Sequence, residues 1–141
     1  MIRIVVLAAV LFAQSPDGWE SYGRDPGGLR YSLNRQINRQ NASRLKVAWT
    51  FRTGDVSTGE SGMRESKFEA TPILFNGALY VSTPFNRVIA LDPATGKQKW
   101  AFDPRINLKT SYSESLVSRG VSAWQYPTAR EGTACKRRIF I

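Results

Sequence analysis

The sequence contains no histidine, one cysteine and two methionines among 141 residues. Without histidine the chain lacks the usual near-neutral proton shuttle and the commonest metal ligand. One cysteine, Cys135, excludes an internal disulfide and a cysteine metal cluster, and it reads as a small buried side chain. Acidic residues are scarce, 11 against 20 Lys and Arg, giving a net charge of +9. The cations are spread along the chain with one short cluster, Lys136-Arg137-Arg138. No helix-turn-helix, zinc or RNA-binding pattern accompanies them, so they read as a solvated surface and nucleic acid is not an expected partner.

Long apolar runs are also missing. The longest uncharged one, residues 4–13, is too short to span a bilayer, which takes about 20 residues. It follows Met1-Ile2-Arg3 and ends in small residues before Pro16-Asp17-Gly18. That is the pattern of a secretory signal peptide. Residues 1–15 are therefore expected to be removed near Ala13 or Ser15, and the product to be periplasmic or secreted. Residues 16–141 form the remaining unit, with no other segment able to cross a membrane.

What is present is turn chemistry between short apolar strands. The stretch Ala90-Leu91-Asp92-Pro93-Ala94-Thr95-Gly96-Lys97-Gln98-Lys99-Trp100 joins an apolar strand to a second one through a tight turn. Asp92 supplies an acceptor, Pro93 a preset φ, Thr95 a hydroxyl and Gly96 tolerance of positive φ. Asn76-Gly77 marks a two-residue hairpin between strands at 72–75 and 78–82. Further strands are expected at 45–51, 87–91, 97–102, 121–124 and 138–141, with a surface loop at 54–67 and another at 126–134. Residues 37–45 read as a connector capped by Asn41 or Ser43. The short hairpin spacings predict an antiparallel meander with no room for crossover helices.

Trp100-Ala101-Phe102 echoes Trp49-Thr50-Phe51, 51 positions earlier. A repeat at about 40–50 residues is the period of β-propeller blades. The chain is expected to be all-β, built of antiparallel meander blades, about two of them, and thus part of a propeller. Arg138-Ile139-Phe140-Ile141 reads as an apolar strand with nothing after it, hence as a truncation. Trp49 and Trp100 are expected as packing anchors between blades, Tyr22 and Tyr31 as packing residues, and Trp124 as either core or channel rim.

An ordered set of motifs carries a resemblance. Trp19-Glu20-Ser21-Tyr22-Gly23-Arg24-Asp25, Arg30-Tyr31-Ser32, Gln36-Ile37-Asn38, Ala48-Trp49 and Arg52-Thr53-Gly54-Asp55 come first. Phe68-Glu69-Ala70-Thr71-Pro72, Val88-Ile89-Ala90-Leu91-Asp92, Ser118-Arg119-Gly120-Val121 and Cys135 with Arg137-Arg138-Ile139 follow. Together these resemble the N-terminal part of pyrroloquinoline-quinone-dependent dehydrogenases, in the glucose dehydrogenase branch, over residues 17–141. The resemblance implies an eight-bladed propeller holding the quinone and a calcium ion, and oxidation of an aldose sugar or other alcohol. Electrons would pass to a membrane quinone or a cytochrome.

Two residues match cofactor contacts of that family. From spacing alone Glu69 reads as a solvated carboxylate and Arg119 as a surface arginine. The resemblance implies instead that Glu69 hydrogen-bonds the cofactor and that Arg119 pairs with one of its carboxylates, as a guanidinium fork can. No catalytic residue and no metal ligand is assigned, because the implied aspartate base and calcium ligands lie beyond residue 141. The chain alone is expected to be inactive. In the family it resembles, alcohol-oxidising branches carry adjacent cysteines where this chain has Ser113-Glu114-Ser115; this favours the sugar-oxidising branch and leaves polyols open as substrates, since polyol-oxidising relatives also lack the pair. The competing reading is a non-catalytic propeller scaffold or assembly module.

Overall fold

A computed structural model describes residues 18–112 and 114–141. The expected leader, its cleavage site and Ser113 lie outside the described residues. Within them the elements are short 3-10 turns at Ala42–Arg44 and Glu60–Gly62 and eight strands. These are β1 (Ser66–Thr71), β2 (Ile73–Phe75), β3 (Ala78–Ser82), β4 (Val88–Leu91), β5 (Gln98–Phe102), β6 (Leu116–Gly120), β7 (Ser122–Gln125) and β8 (Arg137–Phe140).

The centre is an antiparallel sheet in the order β2-β3-β4-β5, a complete four-stranded blade. Its turns form as their residues dictate. Asn76 and Gly77 both take positive φ, 48° and 70°, giving the type I′ hairpin whose twist matches the strands. At the β4–β5 turn, Asp92 Oδ1 accepts from the Ala94 and Thr95 amides at 3.1 and 2.9 Å and from Thr95 Oγ1 at 2.9 Å. Those bonds, led by the Thr95 hydroxyl, hold the Asp92 carboxyl below its ordinary value.

All four residues of β4 are buried. Alternation sends Val88 to one face with Ile73, and Ile89 and Leu91 to the other with Val81. The first face is covered by Val121, Ala123 and Ile139, the second by Trp49, Phe51 and Ala70. Trp49 also donates its indole N–H to the Pro93 carbonyl at 3.0 Å. Trp100 rests against Tyr80 at 5.7 Å on the exposed outer strand β5.

Two smaller ladders flank the blade. β7 and β8 form an antiparallel hairpin, the beginning of a second blade. β1 and β6 pair in parallel, with a bulge between Phe68 and Thr71. The meander itself is the crossover between them, so a parallel pair arises without a helix.

Several expectations are corrected. Residues 45–51 run extended but join no ladder, and Leu45 and Val47 are exposed, because no strand lies beside them among the described residues. Cys135 is exposed, at φ 60° in the tight turn before β8. Tyr22 and Tyr31 are exposed rather than packed. The 54–67 loop buries Asp55 and Ser57. β8 ladders with β7 along one edge and has no strand on its other edge among the described residues. Asn41 precedes its 3-10 turn without a side-chain cap, and instead bonds back to Asn38 and Gln36. Trp124 is not core: it is 43% exposed, stacks on Tyr126 at 5.9 Å and carries the Arg138 guanidinium over its ring at 5.1 Å.

Candidate functional site

The two residues singled out by resemblance meet. Glu69 sits in the β1 bulge and Arg119 on β6, fifty positions later. Arg119 Nε lies 3.3 Å from Glu69 Oε2. A bulge re-aims the side chain it carries, and here it places the carboxylate level with the guanidinium across the parallel ladder. The Arg119 side chain is 79% exposed and that of Glu69 43%. Among the described residues no other hydrogen bond engages the Arg119 guanidinium, so its two Nη groups remain available as donors.

Both residues line an open concavity of about 620 Å³. Thr71, Gly120, Ser122, Phe140 and Tyr22 also line it. Gly120 has φ 149°, and a Cβ there would come within 3.2 Å of the Thr71 carbonyl. The close approach of β1 to β6 therefore needs glycine.

Both strands of the β1–β6 ladder are anchored to the rest of the fold. Fully buried Ser82 on β3 shares a 2.8 Å hydroxyl–hydroxyl bond with Ser118, the residue before Arg119. The start of β1 is held by Ser57, whose amide donates to Ser66 Oγ at 2.8 Å and whose carbonyl accepts the Ser66 amide at 2.9 Å. Two residues before Ser57, buried Asp55 accepts from Arg87 Nη1 through Oδ1 at 2.7 Å. The second oxygen of Asp55 and the Nε of Arg87 are buried with no hydrogen-bond partner among the described residues. Sequence reasoning missed these supports, since Asp55 and Ser57 lie in a stretch whose glycines and charges read as solvated loop.

A second hollow of about 570 Å³, between the blade and the β7–β8 hairpin, is walled by Phe75, Tyr80, Trp100 and Ile139. Burial pushes the Tyr80 phenol up, against a smaller opposing effect of Arg137. This is an apolar packing gap without a convergent set of polar groups. Among the described residues no group of three or more His, Cys, Asp or Glu side chains could hold a metal ion.

A tryptophan-clasped four-stranded blade, followed by the opening hairpin of another, defines a segment of a β-propeller. The chain belongs to the PQQ family described as the glucose/ethanol/alcohol dehydrogenase β-propeller domain, which matches residues 19–141. It is 40% identical over 135 residues to quinoprotein glucose dehydrogenase A of Acinetobacter calcoaceticus, covering 87% of this chain and 16% of that protein. It is 41% identical over 130 residues to the quinoprotein glucose dehydrogenase of Escherichia coli, with the same coverage. Among solved structures, the quinohemoprotein alcohol dehydrogenase of Comamonas testosteroni aligns with a TM-score of 0.61 at 32% identity, over 74% of this chain and 15% of that one. The chain thus spans about one sixth of the length of the curated relatives it matches.

Proposed function

We propose that this chain supplies one wall of the pyrroloquinoline quinone site in a dehydrogenase that oxidises an aldose sugar or a related alcohol. The observation that carries this reading is the Glu69–Arg119 pair in one concavity. The cofactor is a planar tricarboxylate, and the free Nη fork of Arg119 is the donor geometry that binds a carboxylate bidentately. Glu69 occupies Nε of the same guanidinium and so turns the fork outward. Thr71 and Ser122 add hydroxyls beside it. Bound there, the quinone would serve as hydride acceptor for the substrate carbon. The chain's own residues bind and orient it; none of them is placed to take the substrate proton.

The residues present do not fit a calcium site, since calcium takes 6–8 oxygen ligands and the described residues offer no acidic cluster. A metal would need ligands from outside this segment. An aldose is favoured over a simple alcohol by the identity to glucose dehydrogenases and by Ser113-Glu114-Ser115 standing where alcohol-oxidising branches carry paired cysteines. The leader-like residues 1–15 support export, and a membrane quinone or a cytochrome as electron acceptor.

The test is a chimera in which residues 19–141 replace the matching segment of the Acinetobacter enzyme. The expected result is quinone-dependent dye reduction with glucose, with Arg119→Ala weakening cofactor affinity by roughly a hundredfold, as loss of charge-assisted bonds does. A folded chimera that binds no quinone overturns the proposal and favours a scaffold role.

A further inference from the structure

The wall of the concavity formed by Tyr22 is not explained by packing. Its side chain is 57% exposed, yet the loop that carries it is tightly built. Trp19 pairs with Leu74 through two backbone bonds, Trp19 N to Leu74 O at 3.1 Å and Leu74 N to Trp19 O at 2.8 Å. The Trp19 indole N–H donates to the Tyr22 carbonyl at 3.3 Å. The Arg24 amide donates to the Ser21 carbonyl at 2.9 Å, and the Arg30 amide to the Gly23 carbonyl at 3.0 Å. Gly23 lies so close to Gly28 that a Cβ would meet its Cα at 2.6 Å. The loop is thus folded back on itself and stapled to the blade beside the Glu69–Arg119 pair.

That folding brings Arg30 over Tyr22. Arg30 takes φ 51°, a left-handed conformation that costs an ordinary residue of order 1 kcal/mol or more and persists where surroundings enforce it. Its guanidinium carbon stands 4.4 Å from the Tyr22 ring centroid, and its Nη2 donates to the Tyr22 hydroxyl oxygen. A phenol whose oxygen accepts from a cation still has one proton to donate. Hydrogen bonds in series also polarise one another. Tyr22 lines the same concavity as Arg119, and its O–H has no acceptor of its own among the described residues.

We infer that Tyr22 is a further binding residue of this site, donating its hydroxyl proton to an anionic oxygen of the ligand, and that Arg30 is its positioning residue. The inference rests on the cofactor reading above. It assigns the chain two separate donors for a planar polycarboxylate, the Arg119 fork and the Tyr22 hydroxyl, which fix its in-plane rotation as one donor cannot.

The experiment titrates pyrroloquinoline quinone, without substrate, into the full chain and into the chimera, following cofactor fluorescence. Tyr22→Phe should weaken the dissociation constant about tenfold, the value expected for one lost bond to a charged oxygen, with an unchanged melting temperature. Arg30→Met should weaken it by a similar factor alone and have no further effect in the Tyr22→Phe background. Unchanged affinity in Tyr22→Phe while Arg119→Ala is impaired overturns the role of Tyr22 and leaves the cofactor site standing. Unchanged affinity in both variants overturns the cofactor reading, and this inference with it. Additive effects of the two loop substitutions overturn the positioning role of Arg30.

Discussion

Trp49 lies across Gly96 so closely that a Cβ on the glycine would fall within 2.5 Å of the indole carbons. Gly96 lies in the β4–β5 turn and Trp49 in the 45–51 segment that joins no ladder. Their contact clasps residues 49–51 to the β4–β5 turn, together with the indole bond to Pro93.

Gly96→Ala should therefore destabilise the fold on two counts. The new methyl collides with a rigid ring, and Gly96 sits at φ 69°. The expected loss is on the order of 3 kcal/mol, combining overpacking with backbone strain, read as a lowered urea midpoint. Trp49→Phe, which removes only the bond to Pro93 and part of the ring, should cost less.

Asp55→Ala leaves the partly buried Arg87 guanidinium with only the more distant Asp103 carboxylate, 4.0 Å from its Nε. Breaking a buried pair by removing one partner costs about 3–5 kcal/mol. Replacing both, as Asp55→Leu with Arg87→Met, should recover much of that loss. A double variant no more stable than the single one, measured by urea unfolding, would show that the pair stabilises beyond mutual neutralisation.

The Asp92 carboxyl gives an acid-dependent contribution. Its folded value is depressed below 3.8, first by the Thr95 hydroxyl. A depressed carboxyl stabilises the fold above its unfolded value and loses that contribution as pH falls through the folded one. The stability gap between the wild type and Asp92→Ala should be full above about pH 4 and close as the solution is taken lower. Urea midpoints collected at several pH values check this, and a gap independent of pH would contradict it.

Arg119→Ala should separate binding from stability. The Arg119–Glu69 pair is exposed, and such pairs contribute about 0–1 kcal/mol. The chimera carrying this substitution should keep its melting temperature while losing cofactor affinity. A large drop in melting temperature would mark the pair as structural.

The blade was the legible part of this sequence. Its strands are short and local, and each turn carries residues that only one backbone geometry satisfies, Asn76-Gly77 and Asp92 to Gly96 above all. The β1–β6 ladder was not legible. Lys67 and Glu69 give β1 no apolar alternation, and its partner lies fifty residues away. Residues 45–51 failed in the opposite sense: they alternate, but a ladder also needs a neighbour. Glu69 and Arg119 were found through family motifs, since nothing in their spacing links them. Tyr22 reads as a packing residue because an aromatic in a Gly-rich stretch gives no sign of which surface it faces. Cys135 reads as buried on residue type alone, whereas its tight turn exposes it.

The parallel ladder carries a consequence for the order of assembly. Ser66 and Leu116 are fifty positions apart, and closing an unstructured loop of that length costs roughly 3.5 kcal/mol. The blade lies wholly inside that loop, and once its hairpins have zipped up locally the two ladder ends are already near one another. The edge that carries Glu69 and Arg119 is thus expected to form late in folding, templated by a nucleus that contains neither residue. Mutations in the turns of the blade would slow the meeting of Glu69 and Arg119 without touching either side chain.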